Sequence, residues 1–278
     1  MDTAAIELKG VSHVYVNAKG AYAALQAIDL RLEPGEFVSL IGPSGCGKTT
    51  VLSLMSGLLT PSVGSVRIDG ELIKRPTPKV GYMLQQDYLF PWRTIEENVM
   101  LGLELLGRMS EADQSYVREL LAEMGLLAFR KAYPWQLSGG MRQRASLVRT
   151  LATRPGILLL DEPFSALDYQ TKLQLEGLVV STLKERGKTA VLVTHDIAEA
   201  IAMSDRIIVL QPRPGRVLAD VTVPDDIRQA DPLSAREKEG FHGLFRSLWS
   251  MFEQMEQTEE LERKEGEASG ETNTEGTP

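Results

Sequence analysis

The sequence has little cysteine, no long apolar run and no excess of basic charge. Its 278 residues contain one cysteine, Cys46, which excludes an internal disulfide framework and fits a reducing cytosol. No stretch approaches the roughly 18–20 uncharged apolar residues that a membrane-spanning helix needs. The first residues, MDTAAIELKG, lack the basic and then apolar pattern of a secretory signal. If the protein works at a membrane, a partner must therefore hold it there.

The negative charge is concentrated at the C-terminus. Nine glutamates lie from Glu253 onward, and only Arg263 and Lys264 oppose them, so this segment carries −7 of the net charge of −8. The rest of the chain is close to neutral and lacks the basic excess that is typical of nucleic-acid binding. We therefore expect no nucleic-acid partner.

Short β-prone segments alternate with helical patterns, which predicts an α/β fold with a mostly parallel sheet. Apolar runs at Glu36–Ile41, Ile157–Leu160 and Thr189–Val193 predict buried strands. Residues from about 86 to 151 are almost all helical in pattern, which predicts a helical insertion within a domain spanning 1–225.

The C-terminal part has a different pattern. Phe241–Met255 carries its apolar residues on one helical face, which predicts a helical extension over residues 226–256. Residues 257–278 are rich in Glu, Gly, Ser and Thr, and we expect this acidic tail to be disordered.

The segment Gly42–Thr50, GPSGCGKTT, matches a phosphate-binding loop placed between a predicted strand and a helix that begins at Lys48. In such a loop the backbone N–H groups and the helix N-terminus face phosphate oxygens. Lys48 would neutralise the β- and γ-phosphates, and the Thr49 hydroxyl would ligate Mg²⁺. The candidate phosphate-binding residues are Gly42, Pro43, Ser44, Gly45, Cys46, Gly47, Lys48, Thr49 and Thr50. Cys46 is interpreted as a small residue rather than a redox switch, because nothing indicates a resolving thiol.

Two acids follow a buried strand in ILLLDEP, residues 157–163. Asp161 is placed to hold Mg²⁺ through water, and Glu162 is the candidate to polarise the attacking water. The alternative is an N-capping pair worth about 1 kcal/mol of helix stability. A phosphate loop in the same chain favours the catalytic interpretation.

A second anion-binding feature lies in Leu137–Arg144, LSGGMRQR, where a serine and two glycines open a helix. One nucleotide does not need two such helix ends from one chain. We therefore expect this second end to serve a nucleotide that another copy holds.

Together these segments resemble the ABC-type ATPases, whose family signature is LSGGM, and the resemblance covers roughly residues 6 to 223. It implies a P-loop NTPase (RecA-like) core with an antiparallel β subdomain and a helical insertion. It also implies ATP and Mg²⁺ as cofactors, and a homodimer in which two ATPase domains sandwich two ATP molecules.

The resemblance assigns roles to further residues. Ser138, Gly139 and Gly140 of one copy would face the γ-phosphate held by the other. Gln85 would contact the metal and the attacking water, and His195 would be the switch histidine. The proposed catalytic residues are Glu162, His195, Lys48 and Gln85, and the proposed metal ligands are Thr49, Gln85 and Asp161.

Two more assignments concern the dimer interface and the contact with adenine. Asp168, at the end of SALD, matches the loop that lies across the dimer interface. Tyr15 is the candidate that stacks on adenine. Tyr22 is the alternative, because the NAKGAY turn makes the alignment of this segment with the family ambiguous.

Three segments narrow the resemblance: QQDYLFPW, YPWQLSGGMRQR and QPRPGRV. They resemble the ATP-binding subunits of bacterial importers for nitrate, sulfonates, taurine and related small solutes. This implies an integral membrane permease as partner, a solute-binding protein as an indirect partner, and a position at the cytoplasmic face of the cell membrane. The alternatives are an ABC ATPase that remodels DNA or ribosomes and an export or lipid-trafficking ATPase. The former usually needs long coiled coils or paired ATPase units, and the sequence shows neither.

Overall fold

Two β-sheets organise the chain in this computed structural model, which describes residues 3–18, 20–165 and 167–271. The strands are, in chain order, β1 (Ile6–Asn17), β2 (Gly20–Leu32), β3 (Phe37–Ile41), β4 (Val63–Ile68), β5 (Glu71–Leu72), β6 (Val80–Met83), β7 (Ile157–Asp161), β8 (Thr189–Val193), β9 (Arg206–Gln211) and β10 (Arg216–Thr222). The helices are α1 (Lys48–Met55), α2 (Ile95–Leu105), α3 (Glu111–Glu123), α4 (Gly139–Ala152), α5 (Tyr169–Glu185), α6 (Ile197–Met203), α7 (Asp225–Arg228), α8 (Pro232–Ala235) and α9 (Glu239–Glu271), with short 3₁₀ turns at Leu127–Phe129 and Pro134–Gln136.

The larger sheet has the strand order β10-β9-β3-β8-β7-β6 within the described residues. Its neighbours pair in parallel except for β10, which is antiparallel to β9. Strands β3, β7 and β8 are buried along their whole length, as expected for apolar strands covered on both faces. Because parallel strands end at the same edge, the loops after β3, β8, β7 and β6 emerge side by side.

The smaller sheet is antiparallel, with the order β2-β1-β4-β5. The sequence pattern predicts separate strands at Ile6–Leu8 and Val11–Val16, but the structure joins them into β1. The register of β1 against β2 shifts between Leu8 and Val11, at Gly10, whose φ of 56° lies in the left-handed region. One face of this sheet packs its apolar side chains against α1 and the central strands, which places the sheet beside the loop that precedes α1.

Helices α2, α3 and α4 lie between β6 and β7 in sequence, and their side chains, among them Val99, Leu120 and Val148, share one apolar core with the central strands and α5. Side chains at the N-termini define where the helices begin. Thr94 and Glu97 form a capping box at α2, and Ser110 and Ser138 cap α3 and α4. These helices lie within residues 86–151 or just at their edge, the range for which the sequence predicts a helical insertion.

The C-terminal extension packs on α6. Phe241, Leu248 and Met255 of α9 are buried in the same apolar cluster as Ile201. The structure differs from the sequence expectation at the acidic tail, because α9 continues through Glu271 rather than ending near residue 256. Glu, Lys and Arg are good helix formers, so this composition is compatible with helix. Residues 272–278 lie outside the described part of the chain.

Among the described helices, none combines the length and the apolar character that crossing a lipid bilayer demands.

A buried carboxylate lies in α6. Glu199 is 2% exposed, and Lys172 Nζ of α5 lies 2.7 Å from its Oε2. Burial raises the pKa of Glu199 to about 7, and the nearby ammonium only partly opposes that effect. The ionised form of Glu199 is therefore less favourable in the folded chain than in the unfolded chain.

Replacing Glu199 by Gln should remove a pH dependence of stability. Because the pKa of Glu199 is raised on folding, the folded chain binds more protons between about pH 4.5 and 7, so the free energy of unfolding falls as pH rises through this range. Relative to the wild type, Glu199→Gln should gain about 2–3 kcal/mol in free energy of unfolding between pH 5 and pH 8. Urea unfolding at both pH values measures this difference.

The control is Glu237→Gln, since the side chain of Glu237 is exposed. This variant should keep the wild-type pH profile of unfolding. Parallel profiles for the wild type and Glu199→Gln would show that Glu199 does not titrate between these pH values.

Candidate active site

The 42–50 loop joins β3 to α1 and depends on glycine for its shape. Gly47 has a φ of 99° and is the N-cap residue of α1. A Cβ at Gly47 would lie 2.5 Å from Leu25 Cδ2, and a Cβ at Gly42 would lie 2.4 Å from the carbonyl oxygen of Leu210. Since residues with side chains rarely adopt this backbone conformation and no space exists for them, the loop needs glycine at both positions.

Lys48 lies over the loop at the first position of α1. Its Nζ donates hydrogen bonds to the carbonyl oxygens of Gly42, at 2.7 Å, and of Pro43, at 3.0 Å. The ammonium group is thus held across the mouth of the loop, where a phosphate would accept from it. The Cys46 thiol is fully buried, and that burial raises its pKa, so it is a packing group rather than a reactive thiol.

Asp161 is the last residue of β7 and is 8% exposed. Burial raises the pKa of Asp161, and the neighbouring charge of Glu162 adds to the effect, while hydrogen bonds from Tyr82 and Thr49 oppose it. The Tyr82 hydroxyl donates to Asp161 Oδ2 at 3.3 Å, a contact that the sequence analysis missed. A divalent cation beside Asp161 would stabilise its ionised form.

The hydroxyl of Thr49, the carboxylate of Asp161 and the amide oxygen of Gln85 are oxygen donors of the kind that Mg²⁺ prefers. In the described part of the chain, no three His, Cys, Asp or Glu side chains gather closely enough to hold a metal ion by themselves. Mg²⁺ usually takes only one or two protein ligands and completes its shell with phosphate and water. The donor set therefore fits Mg²⁺ bound together with a nucleotide.

At Glu162, residues that follow three neighbouring strands come together. Its Oε2 lies 3.3 Å from His195 Nδ1, which follows β8, and it accepts a hydrogen bond of 3.2 Å from Gln85 Nε2, which follows β6. The Glu162 backbone has a φ of 45°, and its N–H donates to the carbonyl oxygen of Val193 at 2.9 Å. Glu162 thus contacts both of the other two residues, Gln85 and His195, that the sequence assigns to catalysis beside Lys48.

Ser165 and Gln143 extend this cluster beyond the residues assigned from sequence. The Gln85 amide also donates to Ser165 Oγ at 3.4 Å, and Ser165 Oγ donates to the carbonyl oxygen of Glu162 at 3.1 Å. Gln143 of α4 donates to the carbonyl oxygen of Gln85 at 3.0 Å. No sequence pattern reports these contacts, because the partners of Gln85 lie more than fifty residues away.

Ser138 and Gly140 lie at the start of α4, packed against α5. Ser138 Oγ accepts from Met141 N at 3.3 Å, and a Cβ at Gly140 would lie 2.5 Å from Thr171 Cγ2. Asp168 caps α5 by accepting from Thr171 N at 3.0 Å, and hydrogen bonds from Thr171 hold the pKa of Asp168 below its usual range. Within the described residues, no hydrogen bond joins Ser138, Gly139 or Gly140 to the 42–50 loop. The two anion-binding features stay separate in one chain.

Tyr15 and Tyr22 face each other as cross-strand partners on β1 and β2, and both are exposed. The Tyr15 hydroxyl lies 3.3 Å from Thr50 Oγ1, so Tyr15 borders the phosphate-binding loop. This contact favours Tyr15 over Tyr22 as the aromatic residue beside a bound base.

Comparison with known proteins identifies the family. The ABC transporter family profile matches residues 25–165. The chain belongs to the ABC transporter ATP-binding family. It is therefore an ATPase with the ABC cassette fold, which confirms the fold class that the sequence predicts.

Two groups of relatives support this assignment. An uncharacterised ABC transporter ATP-binding protein, YtlC of Bacillus subtilis, is 51% identical over 246 residues, which cover 88% of this chain and 95% of YtlC. The taurine import ATP-binding protein TauB of Escherichia coli K12 is 43% identical over 208 residues, covering 75% of this chain and 81% of TauB. TauB of Ruegeria pomeroyi is 38% identical over 84% of this chain and 88% of its own length.

Solved structures also match. The dimeric structure of the ATP-binding cassette MJ0796 in a post-hydrolysis state, bound to ADP and Pi, has a TM-score of 0.70 and 36% sequence identity. It covers 79% of this chain and 99% of the MJ0796 chain. A second dimeric structure of the MJ0796 cassette matches with the same TM-score and 35% identity.

Replacing Gly47 by Ala should abolish nucleotide binding by this ABC ATPase. The substitution adds the left-handed backbone strain of a non-glycine residue, roughly 1–2 kcal/mol, and forces a methyl group against the buried Leu25 side chain. The loop must then shift and lose its arrangement of N–H groups. Titration with a fluorescent ATP analogue measures binding, and thermal unfolding confirms that the variant is folded.

Gly35→Ala is the matched control. Gly35 also has a positive φ of 80°, but a Cβ there would meet nothing within 4 Å. This variant should lose a similar strain energy, about 1–2 kcal/mol, and bind nucleotide as the wild type does. Wild-type binding by Gly47→Ala would contradict the requirement for glycine in the loop.

Proposed function

We propose that this chain powers a bacterial ABC importer for a small solute of the taurine, sulfonate or nitrate class, with two copies enclosing two ATP molecules. The separation of the two anion-binding features within one chain carries the proposal. The 42–50 loop and the Ser138–Gly140 helix end make no hydrogen bond to each other within the described residues, so they serve one nucleotide only when two copies meet. The dimeric state of the MJ0796 cassettes supports this arrangement.

ATP binding would begin at the phosphate loop. The N–H groups of the loop and Lys48 would bind the phosphates, with Thr49, Asp161 and Gln85 holding Mg²⁺, which supplies charge neutralisation when bound. Tyr15 would lie against adenine, since its hydroxyl already borders the loop at Thr50.

Hydrolysis would depend on the Glu162 cluster. Glu162 Oε2 would accept a proton from the attacking water, because its carboxylate lies at the strand edge between the loop and Gln85. His195, held 3.3 Å from Glu162 Oε2, would stabilise the charge that develops on the transferred phosphoryl group. Gln85 would orient the water by sharing the same carboxylate oxygen.

The second copy would complete the site. Ser138, Gly139 and Gly140 would approach the γ-phosphate bound to the partner copy, and the helix end of α4 favours that negative charge. Asp168, at the start of α5, lies beside this helix end and would cross the interface with it.

The surface next to Gln85 is suited to a permease. A groove of about 470 Å³ is lined by Gln85, Gln86, Asp87, Tyr88, Gly139, Arg142, Gln143, Ser165 and Leu167. Trp92, which lies close to Gln85 in sequence, is 70% exposed. Trp135, which lies close to Ser138 in sequence, is 71% exposed. Backbone hydrogen bonds from Ile95 to Ala132 and from Glu96 to Arg130 join the two tryptophan-bearing segments. Exposed aromatic residues of this kind are enriched at protein interfaces.

This surface supports the parts of the proposal that concern the location of the chain and its partners. The chain would lie at the cytoplasmic face of the cell membrane, held by an integral permease, with a solute-binding protein as an indirect partner. The taurine import function named for the TauB relatives supports a small solute of the sulfonate or taurine class.

Glu162→Gln should trap an ATP-bound dimer. The amide cannot accept the proton of the attacking water, so ATP turnover should fall at least about 100-fold while ATP still binds. Phosphate release measures turnover, and light scattering coupled to gel filtration with Mg²⁺ and ATP measures the dimer.

Glu119→Gln, on the exposed face of α3, serves as the control and should keep wild-type turnover and remain monomeric after ATP is consumed. Wild-type turnover by Glu162→Gln would show that another group activates the water. Loss of turnover without dimers would contradict the shared site.

Trp92→Ala combined with Trp135→Ala should weaken binding to the proposed permease partner. Both side chains are largely exposed, so stability should change by no more than about 0.5 kcal/mol for each substitution. Co-purification with the co-expressed, tagged permease should fall several-fold, since buried aromatic anchors often dominate such interfaces.

Trp249→Ala on α9 is the control, because Trp249 is half exposed and lies outside this surface. It should leave co-purification unchanged. Equal recovery of permease by the double variant and the wild type would place the permease surface elsewhere.

A further inference from the structure

A buried ionic contact joins the C-terminal extension to α5. Arg236, which ends α8, donates from Nη2 to Glu176 Oε2 at 2.8 Å, and the Glu176 side chain is fully buried. The Arg236 guanidinium also donates to the carbonyl oxygen of Pro232, which ties it to its own helix. The side chain of Arg236 is 15% exposed, so this pair is shielded from solvent.

One turn earlier on α5, Lys172 makes a second set of ionic contacts. Its Nζ lies 2.6 Å from Asp196 Oδ2 and 2.7 Å from Glu199 Oε2. Asp196 directly follows His195 and caps α6 by accepting from the N–H groups of Ala198 and Glu199. Lys172 therefore holds the residue next to the switch histidine.

These five side chains form one cluster of three carboxylates and two cations. Lys172 and Glu176 are four residues apart on α5, a spacing at which helical side chains meet. Glu176 Oε1 and Glu199 Oε1 are buried without a hydrogen-bond partner in the described part of the chain. Arg236 is thus the cation that neutralises Glu176, and it leaves Lys172 to Asp196 and Glu199.

Burial raises the pKa of Glu176, and the charge of Arg236 is the foremost of the groups that oppose this rise. Without Arg236, the nearest remaining cation for Glu176 is Lys172 on the same helical face. A buried carboxylate that loses its partner is strongly unfavourable, so Lys172 would be drawn away from Asp196.

We propose that Arg236 is a positioning residue for His195. By neutralising Glu176, it keeps Lys172 on Asp196 and so keeps His195 in contact with Glu162. The segment that carries α7 and α8 is then part of the hydrolytic machinery rather than only a covering for α6. This inference depends on the catalytic role of His195 in the proposed function.

The first test is Arg236→Gln in the full chain. The turnover number for ATP should fall roughly 10–100-fold, as expected when a catalytic group is displaced by about 1 Å. The KM for ATP and the affinity for a fluorescent non-hydrolysable analogue should stay within twofold of the wild type, because the 42–50 loop does not contact this cluster. Arg236→Lys, which retains the positive charge, should recover most of the turnover.

The double variant Glu176→Gln with Arg236→Gln separates positioning from packing. Removing both charges leaves Lys172 without a competitor, so turnover should return to within about threefold of the wild type. If Arg236 only anchors α8, the double variant will turn over as slowly as the single variant, and the proposal is wrong. Should Arg236→Gln fail to fold, the charge-balanced double variant alone decides, since a folded double variant with tenfold lower turnover overturns the proposal.

Arg246→Gln is the matched control on α9. Arg246 is exposed, and its guanidinium donates to the carbonyl oxygen of His242 within α9 itself, so turnover should not change. His195→Ala in the same assay tests the catalytic role of His195 separately from the positioning role of Arg236. Wild-type turnover by His195→Ala would remove the catalytic role itself, whereas an inactive His195→Ala beside a fully active Arg236→Gln would overturn the positioning role alone.

Discussion

The parallel pairing of β3, β8, β7 and β6 is the constraint on which the rest of the site depends. Each strand ends in one functional segment: the phosphate loop after β3, His195 after β8, Asp161 and Glu162 at the end of β7, and Gln85 after β6. These segments are far apart in sequence and meet only because their strands end at one edge. The geometry of the catalytic groups therefore follows from buried apolar pairing rather than from contacts among the groups themselves.

The polar groups at this edge are stable as a set only because the sheet holds them there. Burial raises the pKa of Asp161, and Lys48 is satisfied by carbonyl oxygens of its own loop. Such an arrangement has already been desolvated during folding, so in the proposed function a phosphate and a cation would bind without large reorganisation. The apolar strands beneath the site offset the unfavourable burial of its charges.

The sequence predicts the positions of the functional segments well, because each one follows a short apolar strand that is buried on both faces. The predicted strand Thr189–Val193, for example, agrees with β8 at both ends. The fold class follows from the same alternation of strand and helix patterns.

Contacts between distant segments could not be predicted in this way. The hydrogen bond from Tyr82 to Asp161 and the pair of Arg236 with Glu176 join residues whose local patterns report only a strand and two helices. The continuation of α9 past residue 256 was missed for a different reason: Glu-rich composition is compatible both with helix and with disorder, so periodicity in that segment does not decide between them.

The first turns of α5 contact the start of α4, the residue after His195 and the C-terminal extension. Thr171 contacts Gly140 at the start of α4, Lys172 holds Asp196 beside His195, and Glu176 pairs with the C-terminal extension. These three residues lie within six consecutive positions of one helix. A displacement of α5 as a second copy docks at Ser138 would therefore reach His195 through Lys172 and would meet resistance from Arg236. In the proposed dimer, the contact that completes the nucleotide site and the contact that places the histidine would depend on the same short segment, so assembly and hydrolysis would be mechanically coupled without any further element.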